Sequence, residues 1–165
     1  MRIETILPWI FRVVFPLVVL YAGVAGADAR MDLNKALKIG SGKTVVIEFT
    51  DPDCPYCRKG AAFFRDRRDV TRYIFFTPLP MHPHAREKAQ FILSSADPAK
   101  AYEEAMSGGL DNRKLTGITA AGMQLLNEQM SIAREAKAES TPTFIICGRI
   151  IQGFDQRKLE AALGK

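Results

Sequence analysis

A nearly unbroken apolar run, "TVVIEFT" from Thr44 to Thr50, predicts a central strand buried on both faces. From Cys54 the rhythm becomes helical. Cys57, Ala61 and Phe64 fall on one stripe with Phe63 beside it, so a helix is expected to run to about Arg68. "TRYIFFTP" (71–78) returns to a β-rich pattern. Strand, helix, strand in this order is a βαβ unit whose right-handed crossover makes its two strands parallel. Upstream, "MDLNKALK" (31–38) reads as a short amphipathic helix leading through "IGSGK" into the first strand.

Between Pro78 and Thr141 the periodicity is helical, with helices expected near 84–95, 99–107 and 118–137, broken by "SSADP" and "SGGLDN". A stretch this long is not a loop, and it makes a helical insertion at about 84–137. "TPTFIICGRIIQG" mirrors itself around Cys147-Gly148, the pattern of a β-hairpin with glycine at the second turn position. Asp155 can cap a last helix, Gln156 to Leu163. The order is βαβ, helical insertion, ββα: an α/β domain with a mixed central sheet over 43–165, preceded by a helix and linker at 28–42.

The first 27 residues stand apart from that core. "MRIETILPWIFR" carries Arg2 and Arg12, "VVFPLVVLYAGV" is apolar, and Ala25 and Ala27 flank Gly26. This is the order of a cleavable signal peptide, with cleavage expected after Ala27 and delivery to the periplasm. The alternative is an uncleaved membrane anchor. It would have to bury Arg12 or span the bilayer with too few apolar residues.

Composition adds bounds. With 165 residues, 47% hydrophobic and 25% charged, the chain can bury one well-packed core. The net charge of +5 comes with no dense Lys/Arg tract, which argues against a nucleic-acid groove. Arg65, Arg67 and Arg68 alternate with acids and read as a solvated helix face. Three cysteines are an odd number and too few for a structural framework, although an exported protein lives where disulfides persist.

Chemistry therefore has to explain "DPDCPYCRKG". A cysteine at the first turn of a helix faces unpaired backbone N–H groups and the positive end of the dipole, which favours thiolate. Arg58 and Lys59 add positive charge, and Asp51 and Asp53 oppose it. Cys54 is expected to ionise in the range of roughly 3.5–7.5 that such sites span, and to act as nucleophile. Cys57, one turn on and facing the core, resolves the mixed disulfide. Pro55 stiffens the turn where no N–H is needed. Glu48 lies inside the apolar strand. It either accepts the Cys57 proton from beneath the helix, or it is solvated or salt-bridged at an edge. In "STP", Pro142 opens a strand; a cis bond there would turn the Thr141 backbone outward as an edge for an extended substrate.

Other candidates are weaker. Cys147 sits in the hairpin turn, about 17 Å along its strand from the active end, too far to join the pair. His82 and His84 follow the second parallel strand at the edge that carries the CxxC. They are either auxiliary groups for the thiolate or substrate, or ordinary loop residues at a helix start. Two cysteines and two histidines count to four zinc ligands, but H-x-H is not the usual spacing, and no metal or other cofactor is expected beyond the Cys54–Cys57 disulfide itself.

"FTDPDCPYCRK" together with "STPTFIICGRIIQG" resembles the thioredoxin superfamily, and more closely the catalytic domain of the DsbC/DsbG family of periplasmic thiol:disulfide interchange proteins. The resemblance covers roughly 43–165. It implies a thioredoxin fold, Cys54 as nucleophile with Cys57 as its partner, and Thr141-Pro142 as the cis-proline loop. Pro55, Tyr56, Thr141 and Pro142 would then meet the substrate. It also implies disulfide isomerase or reductase activity on cysteine-containing envelope proteins, with a membrane or periplasmic partner to reset the pair. The short stretch before the first strand lacks that family's dimerisation domain, which points to a monomer. Ser140 stands where the family usually has glycine, and Glu48 is more like the acidic position of thioredoxin and DsbA. "PLPMHPHA" is similar to DsbA-like oxidases. Two alternatives follow: a dithiol oxidase, or a holdase that binds extended clients along the Thr141 edge.

Overall fold

The computed structural model describes residues 31–164. The expected N-terminal signal or anchor, residues 1–27, lies outside the described residues. Among the described residues, 31–164, no helix is long and apolar enough to cross a membrane.

Five strands form one mixed sheet in the order β1-β3-β2-β4-β5. Strand β2 (Thr44–Thr50) is central and runs parallel to β3 (Val70–Phe76), with Glu48 opposite Ile74 and Thr50 opposite Phe76. Its other neighbour, β4 (Thr143–Ile146), is antiparallel and continues through a hairpin into β5 (Arg149–Gln152). Helix α1 (Pro55–Phe64) makes the crossover between β2 and β3. Between β3 and β4 come α2 (Ala85–Ser94), α3 (Pro98–Met106) and α4 (Ala120–Glu135), and α5 (Gln156–Ala162) ends the fold. This is the expected α/β thioredoxin fold with its helical insertion.

The N-terminal expectation needs correcting. Residues 31–38 form no amphipathic helix. A single 3₁₀ turn (Leu33–Lys35), capped by Asp32 accepting from Asn34 N–H, leads into β1 (Leu37–Gly40), which pairs antiparallel with β3. Leu37 and Ile39 alternate inward with period two, and eight residues are too few to separate that period from a helical one when an unpaired sheet edge is waiting. The segment expected as a linker thus belongs to the domain. Helix α1 also ends at Phe64 rather than near Arg68.

From Val46 to Thr50 every residue of β2 is buried, on alternate faces of the sheet as the pleat requires. Val46 packs with Phe64, Phe144 and Leu159 under α1 and α5, while Ile47 and Phe49 pack with Ala133 and Ala138 against α4. Each fully buried Phe or Ile side chain contributes about 1.5–3 kcal/mol. Close approach fixes α1 on the sheet: a Cβ on Gly60 would lie 2.9 Å from Phe144 Cζ. Between α2 and α4 the fit is tighter still, since a Cβ on Gly122 would lie 2.1 Å from Ser94 Oγ. Gln129 of α4 accepts from Phe76 N–H at 2.8 Å and donates to Lys35 C=O at 2.6 Å, tying the helix to the ends of two neighbouring segments.

Candidate active site

The site lies at the carboxyl end of β2, where α1 begins. Cys54 occupies the N-cap position and Pro55 the first turn, as a residue without an N–H can. All three cysteines are free thiols. Cys57 is fully buried and Cys54 is 5% exposed, whereas Pro55 and Tyr56 between them are exposed. The Thr141–Pro142 peptide is cis, and the Thr141 carbonyl lies 3.5 Å from Cys54 Sγ. The cis-proline loop expected from "STP" therefore stands against the outer sulfur.

The two sulfurs ionise very differently. Cys54 is lowered to about 5: the Cys57 thiol donates to it, burial opposes, and the Cys57 and Tyr56 N–H groups at the start of α1 add to the thiolate's side. Cys57 is pushed far up by burial and by its neighbour. The asymmetry expected from the sequence is present, but basic side chains do not make it. Arg58 donates to Pro52 C=O at 2.9 Å and pairs with Asp111 at 2.7 Å, and Lys59 lies 5.2 Å over the Tyr56 ring.

Glu48 is buried, as expected, and it is salt-bridged. Arg72 donates to its carboxylate at 2.7 and 3.1 Å, and the Tyr102 hydroxyl at 3.3 Å. Arg72 is 2% exposed and lies 5.2 Å from the Phe64 ring centroid. Burial works against its charge, yet Glu48 and Tyr102 hold the guanidinium protonated above its ordinary range. Both carboxylate oxygens thus accept hydrogen bonds, and of the two readings the sequence left open the structure shows the salt bridge, made in the interior rather than at an edge. The hydrogen bond to Cys57 comes from the Asp51 N–H, at 3.4 Å from Sγ, while the buried Thr50 hydroxyl has no hydrogen-bond partner among the described residues.

The two histidines part company. His82 reaches the Asp51 carboxylate through Nδ1 at 2.9 Å. His84 sits exposed at the N-cap position of α2 with no side-chain cap bond. Both line a pocket of about 630 Å³ beside the CxxC, together with Asp53, Arg58, Lys88 and Asp111. Lys88 bridges Asp53 and Asp111, and Arg58 reaches the same two acids. Arg58 above all, and then Lys88, hold the Asp111 carboxyl well below the usual carboxylate range. Among the described residues no group of three or more His, Cys, Asp or Glu converges to hold a metal ion. Cys147 is exposed in the hairpin turn, where it and Gly148 take φ of 49° and 74°. That is the far end of β4 from Thr141.

Sequence reasoning missed the ion pairs of Arg72, Lys88 and Asp111, which join segments far apart in the chain. It also undervalued Asp51. There a signal existed: an Asp two residues before another N–H at a strand end is an Asx-turn pattern, and "DPD" carries it.

A thioredoxin-like domain family matches residues 31–163, nearly the whole described chain. The chain belongs to that family. The match begins with the 3₁₀ turn, which agrees with β1 being part of the domain. A probable thiol:disulfide interchange protein DsbC from Bordetella parapertussis is 29% identical over 135 residues, 81% of this chain and 46% of that protein. The chain thus spans about half the length of the curated relatives it matches. A disulfide interchange protein from Neisseria gonorrhoeae superposes with a TM-score of 0.70 at 33% identity, covering 81% of this chain and 96% of that one. A periplasmic thioredoxin-like protein from Salmonella enterica, 20% identical with a TM-score of 0.67, shares the fold over 81% of this chain and 90% of that one.

Proposed function

We propose that the chain is an exported thiol:disulfide interchange protein acting on cysteines of envelope proteins, with the isomerase or reductase role of its DsbC-like relatives. The observation that carries the reading is the pairing of the helix N-cap sulfur, lowered to about 5, with a fully buried partner thiol, the first of them 3.5 Å from the carbonyl of the cis Thr141–Pro142 loop. The Cys54 thiolate attacks a client disulfide; a bond forms between Cys54 and one client sulfur, and the other leaves as thiolate. Cys57 then loses its proton and attacks Cys54. The client sulfur bonded to Cys54 leaves with the electron pair, and the client is reduced by two electrons as the Cys54–Cys57 disulfide forms. When a client thiol attacks the mixed disulfide first, the client is rearranged with no net electron transfer.

One observation favours a second reading. Strong stabilisation of the Cys54 thiolate stabilises the reduced pair, which makes the disulfide a better oxidant. A DsbA-like oxidase runs the same steps backwards. Redox equilibrium with glutathione separates the two: a potential near about −120 mV marks an oxidase, one near about −270 mV a reductase. In either direction the pair is reset by a redox partner of the envelope. If a multiply disulfide-bonded client neither loses, gains nor reshuffles disulfides with the protein, the reading is wrong.

A further inference from the structure

Asp51 follows β2 directly, and both peptide units that flank its Cα are used by the redox pair. Its N–H donates to Cys57 Sγ at 3.4 Å, and its C=O accepts from Cys54 N–H at 3.1 Å. Its carboxylate is fully buried and satisfied by groups of uncommon variety for so short a side chain. Oδ1 accepts from Asp53 N–H at 2.7 Å, and Oδ2 accepts from Leu79 N–H at 2.7 Å and from His82 Nδ1 at 2.9 Å. The Asp53 bond closes an Asx turn that shapes the entry to α1. The other two draw in the segment that follows β3.

We propose that Asp51, clamped by His82, is the positioning residue for the resolving step, keeping its backbone N–H aimed at the Cys57 sulfur while that sulfur attacks. The proposal rests on the exchange reaction given above and deepens it. Cys57 is the costly sulfur to ionise because it is fully buried, and the hydrogen bond that reaches it comes from this N–H. A peptide plane at the end of a strand keeps a fixed direction only if something holds it, and here the carboxylate holds it from three sides. A carboxylate only accepts, so Nδ1 of His82 carries a proton in this bond. His82 acts through Asp51, which explains why one histidine of the H-P-H stretch turns inward while His84 stays outside.

The resolving step can be timed directly. In the full chain carrying Cys147→Ser, the reduced pair is mixed with 5,5′-dithiobis(2-nitrobenzoate). Cys54 attacks first, releasing one thionitrobenzoate. Cys57 then loses a proton to solvent and forms a bond to Cys54 Sγ, and a second thionitrobenzoate leaves with the electron pair. The readout is the ratio of the second rate to the first. Asp51→Ala is expected to lower this ratio about tenfold and His82→Ala about threefold, the cost of a misdirected hydrogen bond to a buried anion. His82→Asn, whose amide nitrogen can stand in for Nδ1, should return the ratio to within about a factor of two of the parent. Should Asp51→Ala fail to fold, the two His82 variants decide the matter. Unchanged ratios in the alanine variants, or no recovery in His82→Asn, overturn the proposal. A parent protein that never releases the second thionitrobenzoate overturns the exchange reading itself, a result distinct from a failed clamp.

Discussion

Glu48 and Asp51 are both fully buried and lie three residues apart on and just beyond β2, yet the surroundings that make each tolerable differ in kind. Glu48 is neutralised by an ion partner: Arg72 of β3 and Tyr102 of α3 close around it and take up both of its oxygens. Asp51 is held by backbone N–H groups and an imidazole, and its own peptide groups touch both cysteines. The strand thus carries one acid that fastens β2, β3 and α3 together and another that organises the chemistry at its end. A buried acid near a redox pair is not by that fact its base; the partners decide.

That contrast can be broken by substitution, beginning where the effect is largest. Arg72→Met leaves Glu48 charged, buried and alone, and should cost about 3–5 kcal/mol in urea unfolding. The double change Glu48→Met with Arg72→Met removes both charges and should recover much of the loss, because replacing a buried pair by apolar groups is often near neutral. In the same proteins the two thionitrobenzoate rates should keep their parental ratio; a fall in that ratio for a folded Glu48 variant would return Glu48 to the mechanism. Next in size, Gly122→Ala forces a methyl against Ser94 Oγ and the α2 backbone and should cost about 1–3 kcal/mol, read as a lowered Tm.

Asp111→Asn should have a smaller effect, about 1 kcal/mol or less, since the acid is 37% exposed and solvent screens it. Its pH dependence has a definite sign. The carboxyl is held below its ordinary value, so its contribution is present above that value of 3.8 and is lost as pH falls further. Denaturation of the wild type and Asp111→Asn should therefore differ at pH 7 and converge in strong acid. The smallest effect belongs to the solvent-exposed pair of Lys35 and Glu128, where Lys35→Ala should leave the unfolding midpoint within experimental scatter.

Much of this architecture was legible because its signals are local. The buried run of β2, the stripe of Cys57, Ala61 and Phe64, the Cys147-Gly148 turn and the Asp155 cap each depend on neighbours within a few residues. Strand β1 was not legible, because Leu37 and Ile39 become a strand only when the β3 edge accepts them. In the site, the two cysteines and Thr141-Pro142 could be read from spacing and residue type. The fate of Glu48 could not, since Arg72 and Tyr102 lie 24 and 54 residues away in the chain. For the same reason nothing in "PLPMHPHA" distinguished His82, which turns to Asp51, from His84, which does not.

The central claim is that Cys54 is a thiolate under ordinary conditions, and the most direct test is the pH dependence of its alkylation by iodoacetamide in the reduced Cys147→Ser chain. The expected midpoint is about 5, and it should move upward in Cys57→Ala, which loses the principal donor to the outer sulfur. Because the folded value lies below the ordinary thiol value of 9.0, ionisation of Cys54 adds stability in full above that value, and the addition fades as pH falls towards 5. A midpoint near 9, unmoved by Cys57→Ala, would contradict the account.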